Sequence, residues 1–253
     1  MRIFVFNLSR HRVIKIVTAM TLCVLIVLSV TIGITTKILG RTLLETQADA
    51  LPYDKIIILD PGHGGEDPGA IGNGNIYEKE LNLQLALEIG RLLEEKGYIV
   101  VYTRTDDRLL LNEDENIKGI KKISDLKNRC KVAERYPDSL FVSIHMNSFS
   151  SSKYSGLQVY HSKDDKSRVL ADSIQSKVIS DLQPSNNRSI KQGDGMYLLE
   201  NISNPAVLIE CGFMTNEEEL KKLSEKEYQK QLSFSIVCGI IEYIEKINLK
   251  KGI

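Results

Sequence analysis

Between Lys55 and Ile247 short apolar runs alternate with amphipathic stretches, and that alternation constrains the fold more than any other feature of the chain. Lys55 to Asp60 (KIIILD) is an apolar run of strand length. Glu78 to Lys96 places Leu81, Leu85, Ile89, Leu92 and Leu93 at helical spacing, and Tyr98 to Thr103 (YIVVYT) follows a Gly97 stop as a second strand. The succession continues with a helix over Ser124 to Tyr136, strands over Ser139 to His145 and Gly156 to Ser162, and a helix over Lys166 to Leu182. A short strand over Met196 to Leu199, a buried strand over Ala206 to Glu210 and one or two helices over Glu217 to Ile247 complete it. The pattern predicts an α/β fold, a single domain with a mostly parallel central sheet flanked by helices. Leu109 to Ile123 fits neither period and reads as a long surface loop.

The first residues have a different character. No acidic residue occurs from Met1 to Arg41, and Arg2, Arg10, Arg12 and Lys15 precede the uncharged run from Ile16 to Thr36, long enough to span a bilayer. The expected layout is a basic cytoplasmic segment at 1–15, a transmembrane anchor at 16–36, a linker at 37–54 and a domain at 55–253 held outside the cytoplasm. A cleaved signal competes with the anchor, since Ala48, Asp49 and Ala50 have a small-x-small form. Lys plus Arg equals Asp plus Glu at 33 each, so no global field draws the chain to nucleic acid. The four cysteines show no short repeated spacing, which argues against a disulfide framework or zinc knuckle.

In open α/β sheets ligands gather at the carboxyl ends of the strands. His63 follows the first strand in LDPGHGGEDPGA, His145 ends SLFVSIH and Glu210 ends AVLIE. Arg104 also ends a strand and could hold an anion or a carboxylate. Two histidines and one carboxylate would satisfy a catalytic zinc site with a position left for water. The carboxylates near His63 are Glu66, Asp67, Glu78 and Glu80. Glu66 and Asp67 sit in a glycine and proline turn that they can simply shape, and Glu78 opens a helix, where a carboxylate is favourable in any protein. His161, among Ser, Lys and Asp, reads as a solvated surface residue. Cys211 adjoins Glu210, but strand alternation turns it to the opposite face, against a thiolate mechanism.

With those residues assembled, the sequence resembles the zinc-dependent N-acetylmuramoyl-L-alanine amidases of the amidase type 3 family. The carriers are LDPGHGGEDPGA, YEKELNL, TR with TDD, SIHMNS and LIECGFMTN, in family order. The resemblance implies one Zn2+ per domain, with His63, Glu78 and His145 as metal ligands and Glu210 as catalytic acid/base. It also matches Arg104 and Asn147 to recurrent positions, as second-shell or substrate-positioning groups. Glu134 departs from the pattern, where relatives often carry Asn. The short interval between SIHMNS and LIECGF leaves no room for an inserted regulatory helix. The layout is most similar to the CwlD-type germination-specific amidases of spore formers, which implies peptidoglycan as substrate and action on spore cortex during muramic-δ-lactam formation. The expected partners are peptidoglycan, the membrane through the N-terminal helix, and an accessory protein that completes or activates the metal site. The expected location is membrane-anchored, in the cell wall or between the forespore membranes. The competing readings are another zinc peptidoglycan peptidase and an anchored, non-enzymatic peptidoglycan-binding protein.

Overall fold

The structure, a computed structural model, describes residues 20–21, 56–111, 121–137 and 139–251. The chain divides into two units, Met1–Pro52 and Tyr53–Ile253, and the fold below belongs to the second. Strand β1 (Ile56–Pro61) leads through a glycine-rich loop and a small antiparallel hairpin, β2 (Ile71–Gly72) with β3 (Ile76–Tyr77), into helix α1 (Glu78–Glu95). Then come β4 (Ile99–Tyr102), α2 (Lys121–Glu134), β5 (Leu140–Asn147), β6 (Gln158–His161) and α3 (Asp165–Asp181). The chain closes through β7 (Lys191–Gln192), α4 (Tyr197–Asn201), β8 (Ala206–Phe213), α5 (Glu217–Ser224) and α6 (Lys226–Lys251).

The main sheet has six strands in the order β4-β1-β5-β8-β6-β7. The pairs β4–β1, β1–β5 and β5–β8 are parallel, and β6 runs antiparallel to β8. The period-2 alternation of the strands divides the core in two. Ile57, Leu59, Val142, Ile144, Val207, Ile209 and Cys211 pack with Leu85 and Ile89 of α1, Ile174 of α3 and Ile236 and Ile240 of α6. On the other face Ile58, Phe141, Ala206 and Leu208 pack with Cys130 and Ala133 of α2 and Leu198 and Leu199 of α4. Asp60, Ser143, His145 and Glu210 fall on this second parity; β5 and β8 run on to Asn147 and Phe213, so Glu210 lies within its strand rather than ending it as the run AVLIE predicts.

The connection from β1 runs to β4 on one side of the sheet and the connection from β5 runs to the other. The crevice between β1 and β5 is therefore a switch point, the place where such sheets take ligands.

Four other expectations are corrected. The anchor expected at 16–36 lies, apart from Met20 and Thr21, outside the described residues, and among those described no helix is long and apolar enough to cross a membrane. The longest, α1 and α6, carry Lys, Arg or Glu along their length. The transmembrane helix, the membrane as partner and the membrane-anchored location are withdrawn with it. Met196 to Leu199 is not a strand: Tyr197–Asn201 is helical, packing Leu198 and Leu199 against the sheet. His161 is buried rather than solvated, with Nδ1 2.7 Å from the Ser162 carbonyl. The second helix starts at Lys121, earlier than Ser124, which shortens the expected loop.

Candidate metal centre

His63, Glu78 and His145 come from three separate elements and converge on one point. His63 lies two residues past β1, Glu78 is the first residue of α1, and His145 sits near the end of β5. Their ligand atoms all lie within 4.8 Å of one another. His63 Nε2 is 3.2 Å and His145 Nδ1 3.0 Å from the same oxygen, Glu78 Oε1. Two glycines make this convergence sterically possible. A Cβ on Gly62 would lie 2.2 Å from the His145 ring, and one on Gly69, whose φ is +67°, would lie 2.5 Å from Glu78 Oε2. His63 itself has a φ of 62°, a left-handed backbone that costs a non-glycine residue about 1–3 kcal/mol and needs outside support.

The partners of each ligand fix its orientation. His63 Nδ1 meets Asp67 Oδ2 at 2.9 Å. Glu78 Oε2 accepts from the Ala70 N–H at 2.8 Å, and Oε1 accepts from the Met146 N–H at 3.1 Å and Asn82 Nδ2 at 3.3 Å. Burial alone would push the Glu78 carboxyl up, but the hydrogen bonds and charges of His145 and His63 hold it well below the usual carboxylate range. Burial would likewise lower the His63 imidazole, yet Asp67 and Glu78 raise it to about 9. The hydrogen bond from His63 holds Asp67 down at about 2.

This donor set fits a zinc ion. With Nδ1–H given to Asp67, the lone pair of His63 Nε2 faces an anionic oxygen, a contact that is repulsive unless a proton or a cation lies between. Donors bound to a tetrahedral zinc at about 2.0–2.2 Å would lie about 3.3–3.6 Å apart, near the 3.2 and 3.0 Å that separate the two imidazoles from Glu78 Oε1. A carboxylate behind a ligating imidazole, as Asp67 is behind His63, is the usual support for such a ligand.

Glu210 stands beside the cluster, as the register partner of His145 across β5 and β8. The residue is partly exposed, but its Oε2 is buried and has no hydrogen-bond partner. Burial pushes its carboxyl up to about 7, with the His145 charge opposing and the Glu78 charge reinforcing the shift. Such a carboxyl can take and release a proton near neutrality. Cys211 points the other way, fully buried in the first core, where burial pushes its thiol far up.

Arg104 lies under the site and is 1% exposed. Its hydrogen bonds go to main-chain carbonyls, of Pro61, Gly62, Lys79 and Asp106, rather than to an anion. Burial and the neighbouring Arg129 charge lower it to about 10. Asn147 sits two residues beyond His145, past a shift in register, and its carbonyl accepts from the Met214 N–H at 2.8 Å. Among the described residues no side-chain bond draws it into the cluster. Of the other carboxylates, Glu66 pairs with Lys121 at the surface and Glu80 is exposed. Sequence reasoning passed over Asp60 and Arg129, which are buried beneath the loop and paired at 2.6 Å. A charged residue closing the apolar run IIILD was the available signal.

Residues 57–242 match the family described as N-acetylmuramoyl-L-alanine amidase, Amidase_3. The chain is 37% identical over 190 residues to the germination-specific N-acetylmuramoyl-L-alanine amidase of Bacillus subtilis, covering 75% of this chain and 79% of that protein. The structure is similar to the CwlD amidase of Clostridioides difficile, solved in complex with the GerS lipoprotein. The TM-score is 0.73 at 40% identity, over 76% of this chain and 98% of that one. It is also similar to the amidase AmiC2 of Nostoc punctiforme, with a TM-score of 0.65 at 31% identity over 75% of this chain and 97% of the other. With its His63, Glu78 and His145 cluster in place, the chain belongs to the Amidase_3 family of N-acetylmuramoyl-L-alanine amidases.

Proposed function

We propose that this protein hydrolyses the amide between the lactyl group of N-acetylmuramic acid and the L-alanine of the peptidoglycan stem peptide, with one zinc held by His63, Glu78 and His145. The observation that carries this reading is the three-ligand cluster with the unpartnered, buried Oε2 of Glu210 beside it. When bound, zinc supplies Lewis acidity, polarising a carbonyl and making a water acidic near neutrality.

The chain's own residues supply the rest. Asp67 orients His63 through Nδ1, so that Nε2 would be the nitrogen offered to the metal, and the Ala70 and Met146 N–H groups fix both oxygens of Glu78. Glu210 takes the proton of the attacking water and returns it to the departing alanine nitrogen, work that contributes about 10² to 10⁴ in rate. Its burial serves both halves, because a carboxyl raised to about 7 is neither a permanent anion nor a permanent acid.

The similarity to the germination-specific and CwlD amidases supports spore cortex peptidoglycan as the substrate. The complex of the C. difficile relative with a lipoprotein supports an accessory protein as partner. Muramidase-digested cortex incubated with the protein and analysed by mass spectrometry tests the reaction. Release of peptides with an L-alanine amino terminus is expected, whereas cleavage inside the stem would make the protein a zinc peptidase instead.

A further inference from the structure

Two buried arginines, Arg104 and Arg129, each 1% exposed, grip the segments that carry the metal ligands. Arg129, from α2, donates through Nη1 to the Pro61 carbonyl at 2.8 Å and through Nη2 to the His63 carbonyl at 2.8 Å. Arg104, just past β4, donates through Nε to the Pro61 carbonyl at 2.9 Å and through Nη2 to the Gly62 carbonyl at 2.9 Å. The same Nη2 reaches the Lys79 carbonyl at 2.8 Å, next to Glu78. Three successive carbonyls leading up to His63 are thus held by guanidinium donors, and Arg104 ties that loop to the first turn of the helix that presents Glu78.

The two arginines differ in what else they touch. Arg129 is neutralised by Asp60 at 2.6 Å and Asp125 at 2.7 Å, so it also binds α2 to the sheet. Among the described residues Arg104 makes no such pair; its acceptors are carbonyls, three of the four in the ligand-bearing segments. A buried cation without a carboxylate partner is a costly way to fill space, and an apolar side chain would pack there with less desolvation. What a planar fork offers instead is several donors in a fixed geometry. That suits the left-handed backbone of His63, which must be held from outside.

We propose that Arg104 is a positioning residue that pre-sets the distance between His63 and Glu78, and so determines metal affinity rather than fold, with Arg129 bracing the same loop from α2. This rests on the zinc reading of the cluster. The test uses full-length protein stripped of metal, as wild type, Arg104→Lys and Arg104→Met, each checked for native near-ultraviolet circular dichroism. Zinc dissociation constants come from competition with a chromophoric chelator, and the visible spectrum of the cobalt(II) form reports ligand geometry. Arg104→Lys keeps the charge but loses the fork, and Arg104→Met keeps the bulk alone. Both are expected to bind zinc about 10- to 100-fold more weakly, the usual effect of losing an outer support, with an altered cobalt spectrum in folded protein.

Unchanged zinc affinity and cobalt spectrum, with only a lower melting temperature, would overturn the proposal. Failure of both variants to fold would overturn it too, because the arginine would then brace the fold. The readout does not involve peptidoglycan. A wild type that binds zinc without cleaving muropeptides sinks the amidase reading alone, and variants with wild-type affinity sink the clamp alone.

Discussion

His145 and Glu210 face each other as register partners on the parallel strands β5 and β8. One belongs to the candidate metal cluster and the other carries an unpartnered buried oxygen, so strand pairing sets the spacing between the two side chains. Glu210→Gln keeps this shape and removes the proton exchange. The variant is expected to hold as much zinc as wild type and to lose about 10² to 10⁴ in kcat. Near wild-type turnover in metal-loaded protein would remove Glu210 from its role.

Asp67→Asn tests the support of His63. The amide keeps the volume of the carboxylate but withdraws its charge from Nδ1, and zinc affinity is expected to fall about 10- to 100-fold in protein that still folds. Equal zinc affinity in the two proteins would mean that Asp67 only shapes the turn.

Gly69→Ala tests how closely the loop approaches the cluster. The added Cβ would lie 2.5 Å from Glu78 Oε2 and 2.8 Å from His63 Cδ2, at a φ of +67°. Loss of bound zinc, read by metal analysis of purified protein, is the expected outcome, and full zinc occupancy would show that the loop shifts freely.

The pH dependence of stability follows from Asp60. Burial by itself would raise its carboxyl, but the Arg129 charge and hydrogen bonds from Ser143, Thr103 and Arg129 hold it below its ordinary value. An unfolded Asp titrates at about 3.9, so below that pH the unfolded chain takes up the proton more readily than the native one. The stabilisation is present above about pH 4 and is lost as pH falls through the depressed native value. Chemical denaturation of metal-free protein should show wild type losing stability faster than Asp60→Asn as the solution is acidified. Parallel curves would mean that Asp60 titrates alike in both states.

Cys211→Ala addresses the thiolate alternative. The side chain lies in the core, away from Glu210, and its removal is expected to cost about 1 kcal/mol of stability while turnover stays at the wild-type level. A loss of turnover without loss of zinc would revive the cysteine.

The alternation of apolar runs made the sheet legible, and with it the face and region where His63, His145 and Glu210 emerge, although β5 and β8 continue past His145 and Glu210 to Asn147 and Phe213. The braces were not legible. Asp60 and Arg129 are 69 residues apart and meet only once α2 packs on the sheet, so no local spacing joins them. Asp67 read as a turn residue because its second task depends on the left-handed backbone at His63. Tyr197 to Asn201 is too short for a helical period to show, and its apolar residues resemble a strand. His161 has polar neighbours in sequence yet lies on β6 between β7 and β8, where the sheet covers it.

The central claim is that the His63, Glu78 and His145 cluster holds the zinc on which cleavage depends. The direct test is to titrate metal-free protein with zinc while following release of peptides with an L-alanine amino terminus from muramidase-digested cortex. Cleavage is expected to be absent without metal, to rise with added zinc and to level off at one ion per chain, and to be lost at every zinc level in His145→Ala. Cleavage by the metal-free protein, or by His145→Ala at low zinc, would contradict the account.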